Sequence, residues 1–117
     1  MAGHQLLGKQ GEALAVQWLV ERGYTILHQN WRYSYYEIDI IASKSNVLHF
    51  IEVKTRRSKK YGLPEESVSD KKIENMMNAS DEYQYRNPGW KRIQYDVMSI
   101  TISNNIPAYY FIEDVYL

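Results

Sequence analysis

Glu37-Ile38-Asp39-Ile40-Ile41-Ala42 and Val47-Leu48-His49-Phe50-Ile51-Glu52-Val53-Lys54 are two strand-like runs separated by Lys44-Ser45-Asn46, and their mutual register decides the fold. The runs are rich in β-branched and aromatic residues, and the break has turn chemistry. A loop spanning residues 44–47 sets Ser43 opposite Leu48, and so Asp39 opposite Glu52. Directly opposed like charges destabilise a sheet. Two carboxylates ~5 Å apart at an effective dielectric of ~20 repel by about 3 kcal/mol. Folding alone gives no reason for such a pair. A divalent cation between them reverses the sign, because hard cations are held by carboxylate oxygens.

Strand alternation adds to this. Glu37, Asp39 and Ile41 fall on one face of the first run, and Leu48, Phe50, Glu52 and Lys54 on one face of the second. Leu48 and Phe50 need a core, so Glu52 and Lys54 carry a buried row outward to its edge. The plainer alternative is an edge salt bridge between Glu52 and Lys54 with Asp39 solvated.

Working toward the N-terminus, residues 4–22 read as a helix with Leu6, Leu7, Leu14, Trp18 and Leu19 in an apolar stripe and Gly23 as its C-terminal cap. Gly8, Gly11 and Ala15 form a small-residue surface that admits close approach. Glu12 sits beside them at three- and four-residue spacing. It is therefore either a third carboxylate turned toward packing or an exposed residue early in a helix.

Beyond the second run, Lys54-Thr55-Arg56-Arg57-Ser58-Lys59-Lys60 carries five basic residues in seven. Such a patch holds phosphates or forms a solvated loop. Ser69 caps a helix running to about Tyr85, with Val68 and Ile73 spaced as a hydrophobic staple. Lys71 and Lys72 stand in its first turn against the helix dipole, which calls for an anionic neighbour, DNA among the candidates. Residues 92–102 and 108–116 read as strands around an Asn104-Asn105 turn, and Tyr24 to His28 as a strand before the acidic run. Tyr33, Tyr35 and Tyr36 cluster ahead of that run. Packing accounts for most of the 11 tyrosines, with stacking on bases left open for Tyr36.

The chain has 117 residues, enough for one domain over 1–117. It has no cysteine, and its three histidines lack zinc spacing. His49 is expected to face sheet or solvent. Lys plus Arg equals Asp plus Glu at 14 each, unlike most sequence-independent DNA binders. The N-terminus has no secretory h-region and no apolar run spans a bilayer, so a cytoplasmic location without a membrane partner is expected.

Several segments together resemble the YraN-like family of uncharacterised small bacterial proteins. They are Gly8-Lys9-Gln10-Gly11-Glu12-Ala13, Gly23-Tyr24-Thr25-Ile26, Asn30-Trp31-Arg32, Glu37 to Ala42, Phe50 to Arg56, Lys71 and Asp96-Val97. That family is placed in the PD-(D/E)xK nuclease superfamily and is similar to archaeal Holliday-junction resolvases. The resemblance covers nearly the whole chain. Tyr36 departs from the glycine usual before the Glu37 position, and residues 112–117 from the usual ending.

The elements read from the sequence give an α/β domain in the order α-β-β-β-α-β-β. By the resemblance, its fold would be restriction-endonuclease-like (tRNA endonuclease-like), with a mixed central sheet flanked by helices. The resemblance also implies catalytic positions at Glu12, Asp39, Glu52 and Lys54. Mg²⁺ or Mn²⁺ would be held by Asp39, Glu52 and the Val53 carbonyl, with Lys54 orienting the attacking water or stabilising an oxyanion. Glu12 would serve a second ion or its water, and Glu37 would be a reserve ligand. Arg56, Arg57, Lys59, Lys60 and Lys71 would hold a nucleic-acid backbone, DNA first, and a homodimer would follow if the resolvase resemblance extends to quaternary structure. The competing reading is a non-catalytic nucleic-acid-binding or adaptor module on the same fold.

Overall fold

Ser45 and Asn46 hold φ values of 52° and 65°, the paired left-handed geometry of a type I′ hairpin turn. The turn joins strand β2 (Tyr36–Lys44) to β3 (Val47–Arg56). It fixes the register Lys44↔Val47 and Ser43↔Leu48, continuing to Ile40↔Ile51. A second turn of the same kind, Asn104-Asn105 with φ 52° and 62°, joins β4 (Arg92–Ser103) to β5 (Ile106–Ile112). Both turns fall where the sequence places them.

The computed structural model describes residues 2–57 and 69–115. Helix α1 (Ala2–Glu21) precedes β1 (Thr25–Tyr33), and α2 (Asp70–Arg86) lies between β3 and β4. The five strands form one mixed sheet in the order β1-β2-β3-β4-β5. All neighbours are antiparallel except β3 and β4, which pair in parallel from Val47↔Arg92 to Arg56↔Thr101. The α/β class and the element order agree with the sequence reading. Strand β1 runs five residues past the expected end at His28, because it pairs with β2 as far as Tyr33↔Tyr36.

Each helix covers one face. Ala15 and Leu19 of α1 pack with Ile40, Ala42, Ile51, Met98 and Ile100. Ile73, Met76, Ala79 and Tyr83 of α2 pack with Ile38, Ile41, Leu48, Phe50 and Val97. Gly23, at φ +90°, ends α1 in a Schellman motif: Tyr24 N–H donates to the Leu19 carbonyl at 3.0 Å and Gly23 N–H to the Val20 carbonyl at 3.1 Å. The Ser69 hydroxyl accepts from Lys72 N–H at 3.3 Å and caps α2. Its expected staple partner, Val68, lies outside the described residues.

Gly11 is the point of closest approach between α1 and β3. A Cβ there would stand 2.7 Å from Thr55 Cβ and 2.9 Å from Thr55 Cγ2, so only glycine lets the helix rest on the strand. A Cβ on Gly8 would meet nothing within 4 Å. The small-residue contact is therefore Gly11 with Ala15, and Gly8 takes no part in it.

Candidate metal centre

The β2–β3 ladder stops at Ile40↔Ile51, leaving Asp39 and Glu52 as the next facing positions. In a continued ladder the Val53 amide would bond to Ile38. Instead it donates to Asp39 Oδ2 at 2.8 Å. Strand alternation breaks at the same place. Ile38 and Ile41, three residues apart, both lie on the α2 face, while Ile40 lies on the α1 face. Opposite Asp39, Asn30 takes φ 53° and has no pairing partner in the β1–β2 register. The strict alternation expected for Glu37, Asp39 and Ile41 therefore does not extend through Asp39. The irregularity turns that carboxylate back toward β3.

The Val53 carbonyl points to the same side of β3 as its amide, as in any strand. The ladder that would have used this oxygen has ended. Asp39 and Glu52 thus meet where the ladder ends, and with the Val53 carbonyl they would make an all-oxygen donor set suited to a hard cation.

The electrostatics register the conflict. Burial, then the charge of Glu52, push the Asp39 carboxyl up to about 8 against the pull of the Val53 amide, and Glu12 and Glu37 add to the rise. Burial raises Glu52 as well, opposed by Lys72. Glu52 is 9 % exposed and accepts from Lys72 Nζ at 3.3 Å. The plainer alternative of a Glu52–Lys54 salt bridge is not the pairing found: Glu52 pairs with Lys72. The anion that answers Lys72 at the helix start is a carboxylate of the same chain. No residue spacing signals this pair, because it depends on how α2 docks on the sheet.

Glu12 is half-buried on α1, and its Oε2 accepts from Asn30 Nδ2 at 3.2 Å. It contributes charge to the Asp39 environment. Among the described residues, however, no three His, Cys, Asp or Glu side chains gather closely enough to hold one ion. Glu37 pairs with Arg32 at 2.7 Å. Lys54 is half-buried and follows Glu52 on the α2 face.

The basic run divides. Arg56 is buried at 8 % exposure, whereas Arg57 is exposed and lines a cavity of about 330 Å³ with the Asn104-Asn105 turn. Lys71 is exposed in the first turn of α2. Lys59 and Lys60 lie outside the described residues. Tyr36 packs against the α2-side core, while Tyr35 at the tip of the β1–β2 turn is 98 % exposed.

One buried polar group escaped the sequence reading. His49 lies inside the protein, where its Nδ1 meets Asp96 Oδ2 at 2.7 Å. Asp96 Oδ1 also accepts from Gln94 Nε2 and Asp114 N–H, both at 2.9 Å. The cluster bridges the parallel β3–β4 pair, which no local pattern announces.

A profile of the family described as "Uncharacterised protein family UPF0102" matches residues 11–100. The chain belongs to the UPF0102 family. The UPF0102 protein of Flavobacterium psychrophilum is 43% identical over 100 residues, covering 86% of this chain and 84% of that one. The relative from Phocaeicola vulgatus is 38% identical over 100 residues, covering 86% and 83%. That from Dictyoglomus turgidum is 42% identical over 98 residues, covering 83% of each. This family membership agrees with the motif residues from Gly11 to Asp96. The relatives' names state no activity. No helix among the described residues is long and apolar enough to cross a membrane.

Proposed function

We propose that this UPF0102 protein is a divalent-metal-dependent nuclease of the PD-(D/E)xK type on a restriction-endonuclease-like domain. It would hydrolyse phosphodiester bonds in nucleic acid, DNA most readily. The observation that carries this reading is the convergence of Asp39 and Glu52 beside the ladder-free carbonyl of Val53. The raised carboxyls of Asp39 and Glu52 support the fit: a buried like-charged pair is stabilised by a cation and destabilised without one. The preferred ions are Mg²⁺ and Mn²⁺.

When bound, the ion supplies Lewis acidity toward a water and toward the scissile phosphate. The chain's own groups do the rest. Asp39, held in position by the Val53 amide, would hold the ion as the deprotonated carboxylate. Glu52, now in contact with Lys72, would be the second carboxylate ligand. Lys54, two residues on, would set its ammonium against the negative charge that grows on the phosphate oxygens. Glu12, hydrogen-bonded to Asn30, would serve a second ion or a metal-bound water. Arg57 and Lys71, both exposed, would hold the nucleic-acid backbone.

The test is cleavage of branched, flapped and single-stranded DNA and of RNA with Mg²⁺ and Mn²⁺, comparing wild type, Lys54→Met and Glu52→Gln. Lys54→Met should cut hydrolysis at least ~100-fold while retaining metal binding, and Glu52→Gln should lose both. Wild type that binds nucleic acid and cleaves nothing with either metal would replace this reading by the non-catalytic module. Equal residual cleavage in all three proteins would identify a contaminant.

A further inference from the structure

Beyond Glu52 and Lys54, the same face of the sheet becomes polar and stays buried. Arg56 is 8 % exposed, Ser99 1 % and Thr101 5 %. In the parallel register Lys54 lies beside Ser99 and Arg56 beside Thr101. Phe50 and Tyr95, register partners four residues before Lys54 and Ser99, stack with ring centroids 5.7 Å apart and show that register neighbours share this face. Among the described residues, two guanidinium nitrogens, Arg56 Nε and Nη2, and the hydroxyl oxygen of Ser99 are buried without a hydrogen-bond partner. A guanidinium cannot shed its charge to escape this, as a lysine can. Burying unpaired charged donors is costly and calls for a compensating anion. The arginine fork matches an oxyanion with two exposed oxygens, and phosphate has that geometry.

We propose that Arg56, Ser99 and Thr101 form a recessed oxyanion pocket that takes a phosphate group of the nucleic acid, beside the phosphate attacked at Asp39 and Glu52. The nuclease reading supplies the source of the phosphate, while the pocket itself rests on the buried unpartnered donors. Lys54 stands between the two sites on the same strand face. Successive phosphates of one strand would then meet the carboxylate centre, Lys54 and Arg56 in turn. The bound group comes either from an internal phosphodiester or from a terminal phosphomonoester.

The experiment is thermal unfolding in EDTA with millimolar inorganic phosphate, against acetate at equal ionic strength. Wild type should gain roughly 5 °C, and Glu52→Gln should gain as much. Arg56→Met should melt higher than wild type in acetate, having lost an unpaired buried charge, and should gain nothing from phosphate. Ser99→Ala keeps the apolar surroundings and should lose at least half of the gain, so it decides the matter if Arg56→Met does not fold. Binding of single-stranded oligonucleotides with and without a 5′-phosphate separates the two sources. A loss in Ser99→Ala for both indicates an internal phosphodiester, and a loss only for the phosphorylated strand indicates a terminal group. No phosphate gain in wild type, or equal gains in wild type and both pocket variants, overturns the pocket. Protein that cleaves nothing yet shows the Arg56-dependent gain loses the nuclease reading and keeps the pocket.

Discussion

The amide of Val53 donates to the carboxylate of Asp39 at 2.8 Å, at the position where strand pairing would have required the backbone of β2. This one bond keeps a buried amide satisfied while the two strands part. It also aims Asp39 at Glu52, so the device that ends the ladder assembles the carboxylate pair.

Metal-free stability should fall as pH rises. Asp39 has a folded-state pKa of about 8 against an ordinary 3.8. The fold therefore favours the neutral acid. That stabilisation is complete below the unfolded value and is lost as pH climbs through about 8. Glu52 shifts in the same direction. In EDTA, melting temperature should decline between pH 5 and 8.5, and Asp39→Asn should flatten the decline and melt above wild type at the upper end. A wild-type profile that rises across this range, unaltered by Asp39→Asn, would contradict the buried-pair account.

Lys72 is the cation that Glu52 has in the absence of metal, at 3.3 Å. Lys72→Met keeps most of the stem and removes the charge. Metal-free stability should drop by about 1 kcal/mol, the scale of a partly exposed pair. The gain in melting temperature on adding Mn²⁺ should increase, because the ion no longer displaces an ammonium. A smaller Mn²⁺ gain than wild type would show that Lys72 assists the site.

Gly11→Ala should destabilise by roughly 2 kcal/mol or more, since its methyl meets Thr55 and the helix must lift from β3. Thr55→Gly in the same chain should recover part of the loss, measured by urea unfolding. Two strictly additive losses would place the strain elsewhere.

The His49–Asp96 pair should behave as a structural unit. Asp96→Ala removes the acceptor of three hydrogen bonds from a fully buried site, and should cost on the order of 3 kcal/mol. Mn²⁺ binding by the folded fraction should be unchanged, because the Asp96 cluster is not part of the Asp39–Glu52 gap. A loss of metal affinity without loss of stability would tie the pair to the site.

What the sequence reveals and what it hides divide along physical lines. The Lys44 to Val47 turn is local chemistry, and once its residues are read the register follows, bringing Asp39 to Glu52. The Asn104-Asn105 turn, the Ser69 cap and the Gly23 terminus are legible for the same reason. The break in alternation at Asp39 is not, because it arises from the simultaneous departure of β2 from β3 and of Asn30 from regular β1 geometry. Arg56 reads as a phosphate contact in a basic run, with a solvated loop as the alternative, yet it is buried in register with Thr101 of the parallel neighbour β4. Lys72 finds Glu52, and His49 finds Asp96, only through the crossover that makes β3 and β4 parallel. Contacts formed across such a crossover leave no periodic trace in the chain.

Calorimetric titration of Mn²⁺ into the protein near pH 7, in buffers of different ionisation enthalpy, tests the Asp39–Glu52 metal centre. Asp39 and Glu52 should bind one ion and release close to one proton per ion, since Asp39 holds its proton up to about 8 and must give it up to bind. Asp39→Asn and Glu52→Gln should show no specific binding. Absence of Mn²⁺ binding in wild type, or binding undiminished in both variants, would contradict the assignment of this carboxylate pair as a metal centre.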